Sequence, residues 1–104
     1  MIQHSVQELI IKFENTIRCD CRGNLVKAAR SSPARLLARG GRDVLAFVAA
    51  HLEANPPDKN LNLHICWGML LNDIAININN WEKPGTYDDI EGWVAWAKRE
   101  AGKT

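Results

Sequence analysis

Apolar residues recur at helical spacing along most of the chain. Val6, Leu9, Ile10, Phe13 and Ile17 stand at offsets of 3, 4, 7 and 11 residues, which puts them on one helix face. Ser5 and Glu8 in "SVQE" predict a capping box ahead of them, each side chain satisfying an orphan amide. "CRG" interrupts the pattern, with Gly23 as a C-terminal residue and Asn24 capping a short turn, "LVKAAR". "SSPARLLARGG" predicts a helix with Ser32 at N-cap, Pro33 at the first helical position and Gly40 at the stop. "RDVLAFVAAHLEAN" predicts another, with Val44, Leu45, Phe47, Val48 and Leu52 on a broad apolar face. "NPPDKN" ends it, because proline has no amide hydrogen and restricts the residue before it. The last helix starts at Thr86 in "TYDD", a second capping box with an acidic first turn suited to the helix dipole. It continues through Ile90, Trp93, Val94 and Ala97.

Residues 61–80, "LNLHICWGMLLNDIAININN", are apolar on more than one side. At about 100° per residue, Leu63, Trp67, Leu70, Leu71, Ile74, Ile78 and Trp81 share a single arc. Ile65, Met69 and Ile76 form a narrow ridge nearly opposite. A helix with two apolar sides belongs between two layers, so this segment is expected to be the central helix, with the ridge against another helix of the same chain. "IAININ" alternates like a half-buried strand, but no second strand is present to pair with it. The expectation is an all-α, compact two-layer domain of about five helices with αα-hairpin packing.

A chain of 104 residues is expected to form a single domain, residues 1–104. At this size roughly 65% of the unfolded surface is buried on folding, enough for a core without metal or disulfide. Three cysteines, Cys19, Cys21 and Cys66, are an odd number and argue against a disulfide framework. "MIQHSVQELI" lacks the basic and apolar regions of a signal peptide, and the longest run without a polar side chain, "ICWGMLL", is too short to span a bilayer. A cytoplasmic protein that does not enter the membrane is expected. The net charge of +1 hides a gradient: residues 18–42 sum to +6, residues 1–17 to −1 and residues 43–104 to −4.

"SPARLLARGGRDVLAFVAAHLEANPPD" followed by "LHICWGMLLNDIA" resembles HEAT-like helical repeats. In that family a helix ends at glycine, a tight turn follows, a second helix opens with small and β-branched residues, and an aspartate-bearing loop leads onward. "GWVAWAKRE" is similar to tryptophan-bearing helices that sometimes close such bacterial proteins. The resemblance covers about 50 residues. With about 40 to 47 residues per repeat, the chain holds little more than two, which implies a compact domain rather than an extended solenoid. The family implies protein binding and carries no catalytic residues to transfer.

Candidate chemistry is sparse. Cys19, Cys21, His64 and Cys66 make a Cys3His set by type, the ligand type of a structural zinc site. Yet C-x-C is an atypical spacing, and on a helix His64 and Cys66 point nearly opposite ways. No metal or other cofactor is expected. "RDVLAFVAAHL" has the composition of a core helix rather than a DNA-reading one. The serines sit at helix starts, where capping accounts for them, and His4, His51 and His64 have no carboxylate partner nearby in sequence. Asp73 lies between apolar turns with Asn77 four residues on as a local hydrogen-bond partner. No enzyme is expected. Trp93 fits an inner helix face and Trp96, three residues on, stands nearer its edge; packing across the last helix is expected for both.

Four arginines remain, Arg30, Arg35, Arg39 and Arg42, the last three spaced to project from one side of a helix and its turn. Such a row attracts an acidic surface at long range. The expected function is noncatalytic protein binding, as a small adaptor or an inhibitor or immunity-type protein whose arginine side holds an acidic protein partner. The alternative is a nucleic-acid-binding domain setting the basic segment 18–42 against phosphates. No aromatic residue interleaves with these arginines, which weakens a single-strand reading. Homodimerisation through Ile65, Met69 and Ile76 is a third arrangement.

Overall fold

The computed structural model describes residues 3–20, 30–57 and 63–103. Helix α1 is Gln3–Asn15 and runs on through a π-helical turn, Thr16–Asp20. The others are α2, Ser32–Arg39; α3, Arg42–Ala54; α4, Leu63–Asn77; and α5, Ile90–Ala101. Among the described residues there is no strand. The all-α class is therefore what is found, with five α-helices among the described residues. The expected turn at Gly23 and Asn24 lies outside the described residues, as do Leu61, Asn62 and Cys21.

Helix ends depart from expectation where tertiary contacts take over. Helix α1 already includes Gln3 and His4, so Ser5 lies inside its first turn rather than capping it. Neither Gln3 nor His4 breaks a helix, and the coil extends upstream. Ser31, not Ser32, is the N-cap of α2, with Pro33 in its first turn. Between α2 and α3 the chain reverses through Gly40 and Gly41, the latter at φ 57°, where a side chain is strained. Helix α4 closes in a Schellman motif: Asn79 takes φ 57° and donates its N–H to Ile76 O, while Asn80 N–H reaches Ala75 O. That turn ends the rod short of Trp81, which is 70% exposed instead of joining the core arc. Helix α5 is capped by Asp89, whose Oδ1 accepts from Gly92 N–H at 3.1 Å. Thr86 serves differently, its carbonyl accepting from Trp93 Nε1 at 2.9 Å.

The main helix contacts form a closed circuit, α1 on α2, α2 on α4, α4 on α5, α5 on α3 and α3 back on α1. The α3–α5 contact is the most extensive. Although joined by a two-residue turn, α2 and α3 pack chiefly on other helices. Inside the circuit the buried side chains make one apolar cluster. Trp67 stands at its middle, edge-on to the Phe13 ring at 4.7 Å and tilted beside His51 at 5.9 Å. Trp93 and Trp96 meet edge-to-face at 5.5 Å, and both are buried, packed across the last helix as expected.

Helix α4 is enclosed more widely than its large apolar residues alone suggest. Cys66, Gly68 and Ala75 are buried beside Leu63, Trp67, Leu70, Leu71 and Ile74. The ridge lies outside this arc. Ile76 is 46% exposed while Ile65 and Met69 are half-buried, so among the described residues no helix covers the whole ridge, contrary to expectation. The close approach comes at Gly68, where an added Cβ would collide with the Tyr87 carbonyl. The segment leading into α5 rests directly on the α4 backbone there.

Two glutamates are buried with partners. Trp67 Nε1 donates to Glu14 Oε2 at 2.9 Å, and His51 Nε2 stands 3.1 Å from the same oxygen, off the line of a good hydrogen bond. Burial opposes the Glu14 charge, but His51, Trp67 and the more distant Arg18 outweigh it and hold the carboxyl below its usual range. Glu100 accepts from Lys103 Nζ at 2.7 Å and contacts Arg42 Nη2 at 3.4 Å. The Lys103 bond, opposed by burial and helped by Asn80 and Arg42, also holds this carboxyl low.

Both carboxyls keep their charge more firmly in the fold than in the unfolded chain. Their stabilisation is therefore complete above the ordinary glutamate range, roughly pH 4 to 5, and drains as pH falls through the lower folded values. Urea midpoints should stay level near neutrality and drop at acid pH, and Glu14→Gln should flatten the drop; an unchanged slope in that variant contradicts the assignment. Gly68→Ala should cost about 1 to 3 kcal/mol, since Tyr87 must be displaced. A melting temperature equal to the parent's rules out the close contact.

Candidate functional site

The charged surface begins with α2, whose apolar residues Ala34 and Leu37 face the core. Arg35, Leu36 and Arg39 are left on the outside, along with Ser32. Leu36 is 41% exposed, so this face is basic and apolar at once. Where α2 crosses the C-terminal half of α4, a shallow groove of about 380 Å³ is lined by Arg35, Ala38, Arg39, Asp73, Ile76 and Asn77. Asn77 fixes the crossing, its Nδ2 donating to Ala38 O at 3.1 Å. The local bond expected between Asn77 and Asp73 is replaced by this link between helices.

Asp73 is the acid among these arginines. Partial burial raises its carboxyl above the ordinary aspartate range, and the Arg30 charge works against the rise. Arg30, Arg35 and Arg39 therefore gather around one end of α4, and all three are exposed. Arg42 does not join them. It sits at the start of α3 with its guanidinium toward Glu100, so of the four expected site residues three share a surface and one serves the core.

Sequence distance concealed two other groupings. His51 does have a carboxylate neighbour, Glu14, but on a different helix. Glu14 borders the apolar stripe of α1, a position that hints at a buried partner without identifying it. The second grouping is a cleft of about 650 Å³ where the end of α3, the start of α4 and the start of α5 meet. His64 lines this cleft, whereas Cys66 is buried in the core. Cys21 and the side chain of Cys19 lie outside what the structure describes. Among the described residues no three histidine, cysteine, aspartate or glutamate side chains are placed to hold a metal ion.

The split among the arginines has a measurable consequence. Arg35→Ala and Arg39→Ala should each change stability by less than about 0.5 kcal/mol, as exposed surface changes do. Arg42→Ala should cost about 1 kcal/mol, discounted because this arginine is partly solvated and Lys103 still serves Glu100. Chemical denaturation of the three variants checks the ranking, and equal losses would contradict it.

Comparison of the chain with protein-family models, curated proteins and solved structures gives no match in any of the three.

Proposed function

We propose that the protein is a noncatalytic helical interaction module whose α2–α4 face holds an acidic protein partner. The observation that carries this reading is the mixture on that face. Exposed Ile76 and Leu36 stand among Arg30, Arg35 and Arg39, and Asp73 lies between the cations. A phosphate backbone gains little from the isoleucine and is repelled by the aspartate, so the nucleic-acid alternative is the weaker one. A protein segment carrying carboxylates beside an apolar side chain complements every group in the groove. Arginines supply attraction and orientation, and the apolar contacts slow release.

The absence of catalysis is part of the proposal. His51 and Glu14 pair, but the carboxylate is buried and shared with Trp67, an arrangement suited to holding α1, α3 and α4 together. The likeness to HEAT-like scaffolds, which serve as binding platforms, rests on the sequence pattern, since α2 and α3 pack chiefly on other helices rather than on each other. No described helix is long and apolar enough to cross a membrane. The cytoplasm remains the compartment proposed, on the odd cysteine count.

Arg35→Glu with Arg39→Glu should abolish capture of the acidic partner from a native lysate while leaving helicity unchanged. A parallel titration with random duplex DNA at low salt should show no binding. Partner capture that survives the double reversal overturns the proposal, and salt-sensitive DNA binding lost in the same variant transfers the face to nucleic acid.

A further inference from the structure

The cleft at the other end of α4 is the chemical counterpart of the arginine face. Leu52, Ile90 and Val94 contribute an apolar lining, and Asp88, Asp89 and Glu91 stand at its edge. Not all the charges there are available. Glu53 is paired with Lys98 at 2.6 Å, and Asp89 is engaged in capping α5. Asp88 and Glu91 are exposed and have no ion-pair partner among the described residues. The cleft thus offers an apolar floor beside two unneutralised carboxylates.

A ligand for such a cleft presents an apolar side chain between cations. The chain itself carries that pattern on the outer face of α2, where Leu36 stands exposed beside Arg35 and Arg39. Those three side chains fall within about 100° of one another on the helix, so all can enter one depression together. The segments that carry the two patches are also opposite in total charge, +6 over residues 18–42 and −4 over residues 43–104.

The patches cannot meet within one molecule. His64 of the cleft and Ile76 of the groove are separated by about 18 Å along α4, at opposite ends of the same rigid rod. We infer that the acidic partner of the arginine face is a second copy of this chain, whose cleft receives Leu36, Arg35 and Arg39 head to tail. This rests on the reading of the arginine face proposed above. The contact is heterologous: each molecule uses one patch as donor and the other as acceptor, so association continues into short chains unless the rotation closes a ring. Because charge attraction does much of the holding, the assembly weakens as salt rises.

Analytical ultracentrifugation of the full chain tests this. At low salt the average mass should climb above the monomer's 11.7 kDa with concentration. It should return to the monomer near 1 M salt, where screening acts over about 3 Å. Arg35→Glu/Arg39→Glu alone and Asp88→Lys/Glu91→Lys alone should each remain monomeric. Mixed in equal amounts they should associate again, because one supplies an intact cleft and the other an intact α2 face, and the two reversed patches are themselves opposite in charge. Circular dichroism verifies that each variant is folded; a variant that loses helicity is replaced by its neutral form, Arg35→Gln/Arg39→Gln or Asp88→Asn/Glu91→Gln. A parent that stays at 11.7 kDa throughout overturns the inference and leaves the arginine face to the capture experiment. Association abolished by the arginine reversal but not by the cleft reversal overturns the inference while keeping that face as a binding surface. Association indifferent to the arginine reversal overturns both.

Discussion

Helix α4 is surrounded on an arc of about 200°, and the rest of the molecule is arranged by what that enclosure requires. Large side chains fill the centre of the arc: Leu63, Trp67, Leu70 and Ile74 reach into the common core. Its borders are set by small residues, Cys66 on one side and Gly68 and Ala75 on the other. Small residues let neighbouring backbone come close, and at Gly68 the Tyr87 carbonyl does so. The opposite ridge is less enclosed, and among the described residues Ile76 there stands 46% exposed. The circuit of five helices follows, with α2 on one flank, α5 on the other and α1 and α3 completing it behind Trp67.

The same packing positions the surface chemistry. Burying Ala34 and Leu37 turns Arg35, Leu36 and Arg39 outward, and the α2–α4 crossing sets them beside Ile76 and Asp73. Tyr87 rests on α4 at Gly68, and the residues after it, Asp88 and Asp89, line the cleft at the other end of the rod. Arg42 shows the converse. It lies three residues beyond Arg39 in sequence, yet the glycine turn directs it to buried Glu100, where it helps to balance a core charge. One basic stretch of sequence therefore splits into a surface and a brace.

Much of this architecture was legible in the residues. Apolar spacing located all five helices, Pro33 and the Gly40–Gly41 pair marked the limits of α2, and Pro56 and Pro57 the end of α3. Illegible features depend on contacts between residues far apart in sequence. Thr86 and Asp89 are both competent caps, and in the fold Asp89 caps the helix while the Thr86 carbonyl accepts from the Trp93 indole. The Ile65, Met69 and Ile76 ridge looked like a second buried face because apolar content does not report what stands opposite it. Trp81 fits the helical wheel, but Asn79 adopts a left-handed turn two residues earlier and removes it from the wheel. The arginine row was visible by composition, whereas the acidic cleft draws on three helices and has no local signature.

Native-state hydrogen exchange probes the enclosure of α4 most directly, since a helix held on most of its circumference cannot open by itself. Amide protons from Gly68 to Ala75 should form the slowest class in the protein, with opening free energies equal to that of global unfolding. If they exchange sooner than the amides of α1 or α5, α4 is a peripheral helix and the circuit built around it is wrong.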